Sequence, residues 1–568
     1  MTDLLRRGLV TCLGWFFFLS CVTESGAEQV EFGPEVIPFA QESIVENLED
    51  PMMFEILPDG SFLIAERLGN LRHQTQSTIR VLTRFDVISH SNLKNGEIVA
   101  ASGFGGNYAR ECGLIGLAIP PDFKKSGFVY VVYSPADKRV NRLSRFTFKD
   151  DVWDDASEAI ILEIVHDRKN KACHESGCLD FDSEGNLYWS NGDNTNPWGT
   201  SAGGMPQNEG DPINNALRTS GNSADLRGGI LRIRPRKDGS YSIPKGNLFD
   251  DKVSKKELYI KGCRNPFRIS IDRKTDVLYW GEVGPDATED SARGPKGYDE
   301  INRATQAGFY GWPFFVADNK GYKLWDFKTD TAIKSFQRSP SNPSKLNTGL
   351  KILPEAQKSF IHYSYDKSPI FGAGARNAMA GPVVYSDSSK GALPNHLDNS
   401  LVIYDWMRGF LKFVKMNAAG KILSYHKSSL SFVHPIAIKQ GVDGHLYVLE
   451  YGKKWTGNKD GRLLKLTFDK QAVPVQALPT DPVLAMMYAN QCMACHLLKQ
   501  KSVGPAYRDV AEKYRKLSGQ TKAQTKTALR KKIKNGGAGV WGQIPMPPQP
   551  HVRNRDLDLI IDYILMLE

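Results

Sequence analysis

The sequence predicts a multidomain chain in which an all-β six-bladed β-propeller is followed by a small all-α domain. The length of 568 residues exceeds what one ordinary hydrophobic core organises. A two-strand pattern recurs six times before residue 450, and helical periodicity replaces it after a proline-bearing segment at residues 471–484. We therefore expect a propeller over residues 28–470, a linker over residues 471–484 and a helical domain over residues 485–568.

The recurring pattern consists of an apolar strand, a turn containing Asp or Gly, and a second apolar strand. A hairpin of this kind cannot bury both of its faces alone, whereas a closed ring of such units covers the faces and limits exposed edges. An all-β sandwich has a similar composition, but six related units favour the propeller. The six copies begin at Phe54, Leu117, Leu179, Ile269, Pro382 and Ile436.

The region after the linker has the pattern of helices. Asp481 followed by Pro482 is typical of a helix start, because proline is favoured in the first turn. Three further helices are predicted, from Tyr507 to Leu517, from Thr521 to Lys534 and from Asp556 to Leu567.

The N-terminal segment predicts export. Arg6 and Arg7 precede an apolar run, Leu9–Ser20, which is typical of a secretory signal over residues 1–27 and is too short to span a bilayer. We expect an exported protein in the periplasm or another extracytoplasmic compartment. Cys21 leaves lipid attachment open, and we expect membrane association only if Cys21 is lipidated.

The charge of the chain argues against a nucleic-acid partner. A net charge of +10 is mild for a chain of this length, and no dense Lys/Arg block accompanies a nucleic-acid-binding fold. We expect no nucleic-acid partner, and a basic face leaves open the docking of an acidic redox protein.

The helical region contains the attachment pattern of a c-type haem. Cys492 and Cys495 lie one helical turn apart, which lets both thiols bind the haem covalently, and His496 follows as the proximal iron ligand. Met546 lies in a proline-flanked segment and is the predicted distal ligand. The stretch from Asp481 to Glu568 resembles the small single-haem bacterial cytochromes c. Because His/Met ligation leaves no open coordination position, we expect this haem c to transfer electrons.

The first 470 residues contain several motifs that occur together in one order. They resemble the glucose/sorbosone dehydrogenase family, soluble sugar dehydrogenases that use pyrroloquinoline quinone (PQQ) on a six-bladed propeller. The matching segments are Gly60–Arg67, Gly113–Ala118, His174–Gly177, Asp225–Gly228, Gly262–Pro266, Gly284–Pro285 and Asp299–Asn302. Gly192–Pro197 and Tyr404–Gly409 resemble a branch of this family that is often fused to a cytochrome c.

The resemblance implies a set of cofactor-binding residues. PQQ carries three carboxylates, which favour planar bidentate contacts from guanidinium groups. Arg264 and Arg408 lie at positions that match this role, and Asn265 is placed to hydrogen-bond the quinone.

The resemblance also implies a calcium ion beside the cofactor. The backbone carbonyls of Gly284 and Pro285 match its ligands, and such an ion would polarise the reacting carbonyl. Asp299 is a candidate ligand of a structural ion.

One departure concerns the general base. The resemblance places a histidine immediately before Pro121, where this chain has Pro120, which has no group that accepts a proton. His174 and Glu175, in a neighbouring loop, are the candidates for a replacement base.

Four cysteines remain once the haem and signal cysteines are set aside: Cys112, Cys173, Cys178 and Cys263. An even number in an oxidising compartment predicts one or two disulfides, whose pairing stays open. A zinc site that also uses His174 is the alternative, although the spacing is not a standard one.

Three functional hypotheses follow. The first is a quinohaemoprotein dehydrogenase that oxidises a sugar or polyol hydroxyl with PQQ and sends electrons through the haem to a downstream redox protein or respiratory-chain acceptor. The second is a propeller that has lost PQQ chemistry and binds carbohydrate or protein, with the cytochrome c serving another partner. The third is a hydrolase, although no nucleophile–base pair stands out in the sequence.

Overall fold

The computed structural model describes most of the chain between residues 31 and 567. The predicted signal segment and most of the predicted linker lie outside the described residues. Among the described residues, no helix is both long enough and apolar enough to cross a membrane. The described ranges are 31–88, 111–166, 173–175, 177–195, 212–387, 390, 392–469, 481–490, 492–499, 504–516, 521–537, 539–541, 546, 548–550 and 552–567.

The first half of the chain forms three blades. Two N-terminal strands come first: β1 (Glu31–Ile37) and β2 (Phe39–Leu48). Blade one contains β3 (Pro51–Ile56), β4 (Phe62–Glu66), β5 (Asn70–Gln74) and β6 (Ile79–Arg84). Blade two contains β7 (Leu114–Ala118), β8 (Phe128–Tyr133), β9 (Val140–Lys149) and β10 (Val152–Val165), with the single-turn helix α1 (Phe123–Ser126) between β7 and β8. Blade three contains β11 (Leu179–Phe181), β12 (Leu187–Asn191), β13 (Gly229–Pro235), the two-residue strand β14 (Tyr241–Ser242) and β15 (Leu258–Lys261).

Three further blades follow. Blade four contains β16 (Pro266–Ile271), β17 (Leu278–Glu282) and β18 (Asp299–Ala304). An insertion then contributes β19 (Gly308–Phe309), which joins the edge of blade three, and two hairpins: β20 (Phe315–Val316) with β21 (Lys320–Gly321), and β22 (Lys323–Asp326) with β23 (Thr331–Ser335). Blade four ends with β24 (Ile361–Tyr363). Blade five contains β25 (Ala378–Val384), β26 (Ser400–Asp405), β27 (Leu411–Met416) and β28 (Ile422–Ser428), and blade six contains β29 (Pro435–Gln440), β30 (Leu446–Glu450) and β31 (Gly461–Phe468).

The innermost strands form a closed ring, which confirms the six-bladed prediction. In order, β3, β7, β11, β16, β25 and β29 each contact the next, and β29 contacts β3. Every one of the six predicted hairpins corresponds to the two inner strands of a blade. The N-terminal strands complete the last two blades: β2 pairs antiparallel with β31, and β1 pairs parallel with β28.

A buried arginine ties three blades together near the axis of the ring. Arg268, on β16, donates from Nε to the carbonyl oxygen of Ile436 at 2.7 Å and from Nη2 to that of Met52 at 2.5 Å. These bonds join blade four to blades six and one. They also supply hydrogen-bond donors to two backbone carbonyl oxygens near the axis of the ring.

In each antiparallel blade, the loop that precedes the innermost strand and the loop that follows the second strand lie at the same edge of the sheet. Because the second strand runs opposite to the first, each innermost strand begins where the second strand of its blade ends. We call this face of the ring, where the innermost strands begin, the upper face. Most residues that the sequence marked as functional lie in its loops.

The C-terminal helices form a separate hydrophobic core. They are α2 (Pro482–Ala489), α3 (Cys492–Cys495), α4 (Tyr507–Arg515), α5 (Lys522–Asn535) and α6 (Asn554–Met566). The last helix contacts α2, α4 and α5 through buried residues such as Ile560 and Ile561. Asp481 caps α2 by accepting the N–H of Val483, and Thr521 forms a capping box with Gln524 at α5. These starts match the predicted helices.

Candidate active site and haem site

A buried histidine–aspartate pair lies on the upper face. Nδ1 of His174, in the loop before β11, lies 2.7 Å from Oδ1 of Asp193, which follows β12. Both side chains are buried. The carboxylate selects the tautomer that carries its proton on Nδ1, so Nε2 is left with a lone pair. This is the arrangement of a general base oriented by a carboxylate.

Several donors hold Asp193 in its ionised form. Its Oδ2 accepts the indole N–H of Trp312 at 2.8 Å, and its Oδ1 accepts the hydroxyl of Thr195 at 2.9 Å. Burial works against ionisation, but His174, Arg264 and Trp312 outweigh it and hold the pKa of Asp193 below its ordinary value. Asp193 belongs to a motif noted in the sequence, where no role was assigned to it, and Trp312, in the insertion, was missed altogether.

The backbone around the pair is constrained. His174 has a φ of 61°, in the left-handed region that non-glycine residues seldom adopt. A Cβ at Gly192 would lie 2.0 Å from the carbonyl oxygen of His174, so this neighbour must be glycine. Such local strain is common at functional sites, where the surrounding structure holds it in place.

Arg264 and Asn265 lie beside the pair, at the start of β16. Both backbone N–H groups donate to Oε1 of Glu282, at 2.5 and 2.7 Å. The carbonyl oxygen of Arg264 accepts the N–H of Asp193 at 2.7 Å, so blades three and four meet at this point. The guanidinium of Arg264 is buried, donates to the carbonyl oxygen of Val283 at 2.8 Å and lies 3.9 Å from Asp286.

Glu175 has different surroundings from His174. Its side chain is 1% exposed, and Oε1 accepts the thiol of Cys112 at 3.1 Å. Its backbone N–H donates to Oε2 of Glu111 at 2.9 Å. Of the two candidate bases, His174 therefore has the oriented proton acceptor, whereas the Glu175 carboxylate is engaged by a thiol.

Pro120 lies away from this site. Pro120 lies just beyond the last residue of β7. Cys112, whose thiol reaches Glu175, lies just before the first residue of the same strand. A strand advances about 3.3 Å per residue, so position 120 lies roughly 20 Å along the chain from the upper end of β7. Position 120 therefore lies at the opposite end of β7 from the upper-face loop that contains His174.

Arg408 is engaged within the propeller, and its cofactor role stays a prediction. Its guanidinium donates to four backbone carbonyls: those of Phe371 at 2.9 Å, Ser364 and Gly374 at 2.8 Å each, and Ala375 at 3.1 Å. It also lies over the ring of Tyr363. These bonds occupy the planar donor edges that a carboxylate would need.

The predicted calcium ligands are also only partly available. Asp299 accepts the N–H of Gly284 at 3.0 Å and that of Ala378 at 2.8 Å, and Arg376 lies 3.1 Å away. Arg376 also donates to the carbonyl oxygen of Pro285 at 2.6 Å. Asp299 therefore joins blade four to blade five instead of facing an ion. The carbonyl oxygen of Pro285 already accepts from the guanidinium of Arg376. Among the described residues, no group of three or more His, Cys, Asp or Glu side chains is placed to hold a metal ion.

Two buried carboxylates on blade four were not anticipated. Glu282 and Glu300 face each other across β17 and β18. They line a cavity of about 10 Å³ together with Gly284 and Pro285. Burial and the neighbouring carboxylate raise the pKa of Glu282 to about 8, and burial raises the pKa of Glu300 to about 7. A buried pair of this kind favours a shared proton or a cation.

Of the four remaining cysteines, for which one or two disulfides were expected, Cys178 and Cys263 are thiols in the structure. Cys178 and Cys263 each occupy a separate buried position: the Cys178 thiol contacts the carbonyl oxygen of Ile269 at 3.7 Å, and that of Cys263 bonds to Glu282. Burial raises the pKa of both thiols. Of the four, only Cys112 and Cys173 are neighbours at the cleft, and they stay a candidate pair. The zinc alternative has no supporting cluster in the part of the chain that the structure describes.

In the helical domain, His496 is oriented by its own loop. Its Nδ1–H donates to the carbonyl oxygen of Pro505 at 2.8 Å, which leaves Nε2 for a metal. The ring of Tyr507 stacks on it with centroids 4.8 Å apart. A Cβ at Gly504 would lie 2.3 Å from Cε1 of His496, so glycine is required there. The Cys492 side chain precedes it on α3 and is half-buried, whereas the Cys495 side chain lies outside the described set.

Met546 is held by backbone bonds to the end of α5. Its N–H donates to the carbonyl oxygen of Gly537 at 3.1 Å, and its own carbonyl accepts the Gly537 N–H at 2.9 Å. Lys532 donates to the same Gly537 carbonyl at 2.7 Å. This bridge fixes the half-buried Met546 in a defined place, as a distal ligand requires.

Comparison with known proteins covers both parts of the chain. The family model for glucose/sorbosone dehydrogenase matches residues 48–342, and the model for cytochrome c matches residues 485–568. Cytochrome c-552 of Nitrosomonas europaea is 47% identical over 79 residues, which are 14% of this chain and 72% of that protein. An uncharacterised protein of Synechocystis sp. is 26% identical over 427 residues, 74% of this chain and 85% of its own length.

A solved structure shares the propeller fold. It comes from Thermus thermophilus and is named as a putative oxidoreductase (glucose dehydrogenase), with 22% identity and a TM-score of 0.50 over 75% of this chain and 99% of that chain. The family model spans more than half of the sequence, and the cytochrome relative is closely similar in the haem-binding region. The chain therefore belongs to the glucose/sorbosone dehydrogenase family and carries a haem c-binding cytochrome c domain after the propeller, the combination of an oxidoreductase.

Proposed function

We propose that the propeller oxidises a hydroxyl group of a sugar or polyol with PQQ as cofactor, and that the electrons leave through the haem c of the same chain. The observation that carries this proposal is the His174–Asp193 pair on the upper face. A buried imidazole with one nitrogen held by a carboxylate and the other open suits the removal of a hydroxyl proton.

The proton transfer belongs to His174. Nε2 accepts the proton of the substrate hydroxyl, and the imidazolium that forms is stabilised by the Asp193 carboxylate at 2.7 Å. Trp312 and Thr195 keep that carboxylate from rotating. Glu175 lies next in sequence, and its carboxyl group is engaged by the Cys112 thiol, so it is not needed as the base.

The cofactor-binding residues that fit PQQ are Arg264 and Asn265. The guanidinium of Arg264 is buried next to the pair and has only a long contact, 3.9 Å, to its acidic neighbour Asp286, so it retains capacity for a carboxylate. PQQ, when bound, would supply a two-electron acceptor that the haem can reoxidise one electron at a time. Arg408 is not part of this set because four carbonyls occupy its guanidinium.

Calcium fits the same region through a different donor set from the one the sequence suggested. Glu282 and Glu300 are buried acids whose mutual repulsion a divalent cation would relieve, and oxygen ligands are those that Ca²⁺ prefers. Gly284 lines the same cavity. We propose these three residues, and not Asp299, as the donors for a calcium ion.

The place of the protein in the cell follows from the same proposal. Haem c attachment and the predicted signal over residues 1–27 suit an exported, periplasmic protein. A haem with His496 and Met546 as ligands passes electrons outward to a downstream redox protein or respiratory-chain acceptor.

The test is anaerobic reduction of the haem. The purified holo-cytochrome is loaded with Ca²⁺ and PQQ, and the ferrocytochrome band is followed while aldoses and polyols are added. Reduction that requires both a sugar and PQQ supports the proposal. Absence of reduction by every sugar, with PQQ binding demonstrated separately, contradicts it.

A second candidate is a propeller that binds carbohydrate without PQQ chemistry. The observation that favours it is the engagement of two of the guanidinium groups near the cleft, those of Arg376 and Arg408, by protein oxygens. Titration with PQQ discriminates between the two candidates, because this second function predicts no PQQ binding to the folded chain.

A further inference from the structure

A fully buried lysine supports one segment of the upper face. Lys261 is the last residue of β15, and its side chain is 0% exposed. Its ammonium group donates to the carbonyl oxygen of Asp225 at 2.7 Å and to that of Arg227 at 2.6 Å. Among the described residues, these two backbone groups are the only hydrogen-bond partners of Lys261. The ammonium group is therefore held by one short segment, Asp225–Gly228, which we call the Asp225 turn.

A charge at the position of Lys261 is costly. Burial lowers the pKa of Lys261 to about 7, although the nearby Asp225 carboxylate favours the charged form. An apolar side chain of similar length would fill the same space without that cost. The ammonium group therefore contributes something that packing alone does not, and its two hydrogen bonds to the Asp225 turn show where it acts.

The Asp225 turn is also held from within. The carboxylate of Asp225 accepts the backbone N–H of Arg227 at 2.9 Å and two N–H groups of its guanidinium, at 2.9 and 2.6 Å. These bonds fix the two side chains of the turn, whereas Lys261 binds its backbone carbonyl oxygens. Loss of the ammonium group would leave both carbonyl oxygens without this donor.

The Asp225 turn contacts both neighbours of Asp193. The N–H of Gly228 donates to the carbonyl oxygen of Gly192 at 2.8 Å. Nη1 of Arg227 donates to Oδ1 of Asn194 at 3.2 Å. Gly192 and Asn194 flank Asp193 in the chain, so the turn fixes the backbone that carries the carboxylate bound to His174.

The turn also fixes the partner of the Asp193 backbone. The carbonyl oxygen of Gly228 accepts the N–H groups of Gly262 and Cys263, each at 3.1 Å. Arg264 follows, and its carbonyl oxygen accepts the N–H of Asp193 at 2.7 Å. Displacement of the Asp225 turn would therefore move the Asp193 carboxylate through each of these connections.

We propose that Lys261 is a positioning residue for the general base: its ammonium group fixes the Asp225 turn, and the turn holds the Asp193 carboxylate against Nδ1 of His174. The inference rests on the proposed function, because His174 is the base of the proposed reaction, and it adds a residue that controls the orientation of that base. The 2.7 Å contact between His174 and Asp193 keeps the proton on Nδ1 and the lone pair on Nε2. Lys261 acts only through this contact.

The test measures the His174–Asp193 hydrogen bond directly. The full chain with its haem reduced, and without PQQ, is labelled with ¹⁵N-histidine, and the downfield Nδ1–H resonance of His174 is assigned by its absence in His174→Gln. We expect Lys261→Met to raise the solvent exchange rate of this proton by about tenfold, the factor that corresponds to loss of one hydrogen bond. Lys261→Gln keeps one amide donor and should raise the rate by only about threefold.

Lys412 provides a matched control. It lies on β27 in blade five, its side chain is 6% exposed, and burial lowers its pKa to about 8. Its ammonium group lies over the ring of Phe410. Lys412→Met removes a buried ammonium group from the same propeller and should leave the exchange of the His174 proton unchanged.

A kinetic measurement separates positioning from a structural role. With PQQ and a sugar present, kcat for haem reduction should fall by about tenfold in Lys261→Met, with KM for the sugar unchanged within about twofold. A lysine that only stabilises the fold would lower the Tm and change neither the exchange rate of the His174 proton nor kcat in the folded protein.

Each outcome decides the inference. An exchange rate in Lys261→Met equal to that of wild type overturns it, and so does an equal acceleration in Lys412→Met. If Lys261→Met does not fold, the comparison of Lys261→Gln with wild type decides in the same way. Absence of the His174 resonance from wild type would show that the histidine–aspartate pair does not form, and the inference would fail with it. The NMR sample contains neither PQQ nor sugar, so its result is separable from failure of the dehydrogenase proposal.

Discussion

The haem site and the upper-face site are built in opposite ways. His496, its support Gly504 and the predicted distal ligand Met546 all come from one continuous stretch of about fifty residues, with supporting bonds inside the same domain. The upper-face site draws His174 from blade three, Arg264 from blade four and Trp312 from an insertion.

The difference shows which kind of site a sequence motif can identify. A covalent haem site needs two thiols and a histidine at fixed helical spacing, so its pattern is local and nearly sufficient. The upper-face site is assembled from loops of several blades. Which of its side chains can bind a cofactor depends on the hydrogen bonds that they already make to other parts of the propeller. Arg408 illustrates this, because its motif position fits a cofactor role while its hydrogen bonds do not.

The largest expected effect breaks the local site. His496→Ala removes the proximal ligand, and we expect complete loss of stable covalent haem, measured as haem absorbance per mole of protein. The propeller should keep its thermal transition, because its core shares no residue with the helical core. Haem retained at the wild-type ratio would contradict the assignment of His496.

The next effect tests the assembled site. His174→Gln removes the proton acceptor, and we expect kcat/KM for sugar-driven haem reduction to fall by about 10²–10⁴-fold. Pro120→Ala is the control and should leave kcat/KM unchanged, since position 120 lies at the far end of β7. An unchanged kcat/KM in the His174 variant would contradict the assignment of His174 as the base.

A third prediction concerns the contact between blades six and one at the upper face, which we call the Asp50 joint. The buried carboxylate of Asp50, just before β3, pairs with the guanidinium of Arg67 at 2.7 Å and accepts the N–H of Asn458, in the loop after β30, at 2.7 Å. Asp50→Ala leaves the Arg67 guanidinium buried without its partner, and we expect the free energy of unfolding to fall by about 3–5 kcal/mol, measured by denaturant titration. Asp50→Asn should cost less, because an amide oxygen still accepts from Asn458.

The same carboxylate gives this joint a pH dependence. Burial opposes ionisation of Asp50, but Arg67 and the loop N–H groups prevail and hold its pKa below the ordinary 3.8. The unfolded state therefore binds the proton more readily, so the stabilisation is present above pH 3.8 and is lost as the pH falls through the lower folded value. Asp50→Asn should flatten this part of the acid-unfolding curve. An unchanged curve would show that Asp50 does not titrate within the joint.

The smallest effect separates structural from cofactor-binding arginines. Arg408→Leu leaves four carbonyls without their donor, and we expect a loss of about 2–4 kcal/mol in stability with PQQ affinity unchanged in the fraction that is folded. Arg264→Leu should do the reverse and weaken PQQ binding more than stability. Weaker PQQ binding in the Arg408 variant, at an unchanged Tm, would return Arg408 to the cofactor site.

The sequence predicted the architecture well because each blade repeats a local signal. All six hairpins that it indicated became inner blade strands, and the three longest C-terminal helices begin within two residues of their predicted starts. The haem-site residues could also be named from the sequence. Trp312 and the Glu282–Glu300 pair could not, because their role depends on partners that are distant in the chain. The sequence left His174 and Glu175 as alternative bases, because only the contacts of each side chain, such as the 2.7 Å contact of His174 with Asp193, distinguish them.

The pairing of β2 with β31 sets the order in which the molecule can fold. Phe39 lies opposite Phe468, so the contact that completes blade six joins residues separated by nearly the whole propeller. Closing so long a loop costs chain entropy before it gains contacts, which makes it a late event in folding. During synthesis from the N-terminus, β2 lacks its partner strand until residue 468 has emerged. Synthesis that pauses before residue 468, or a truncation within β2, should therefore expose the propeller to aggregation and proteolysis.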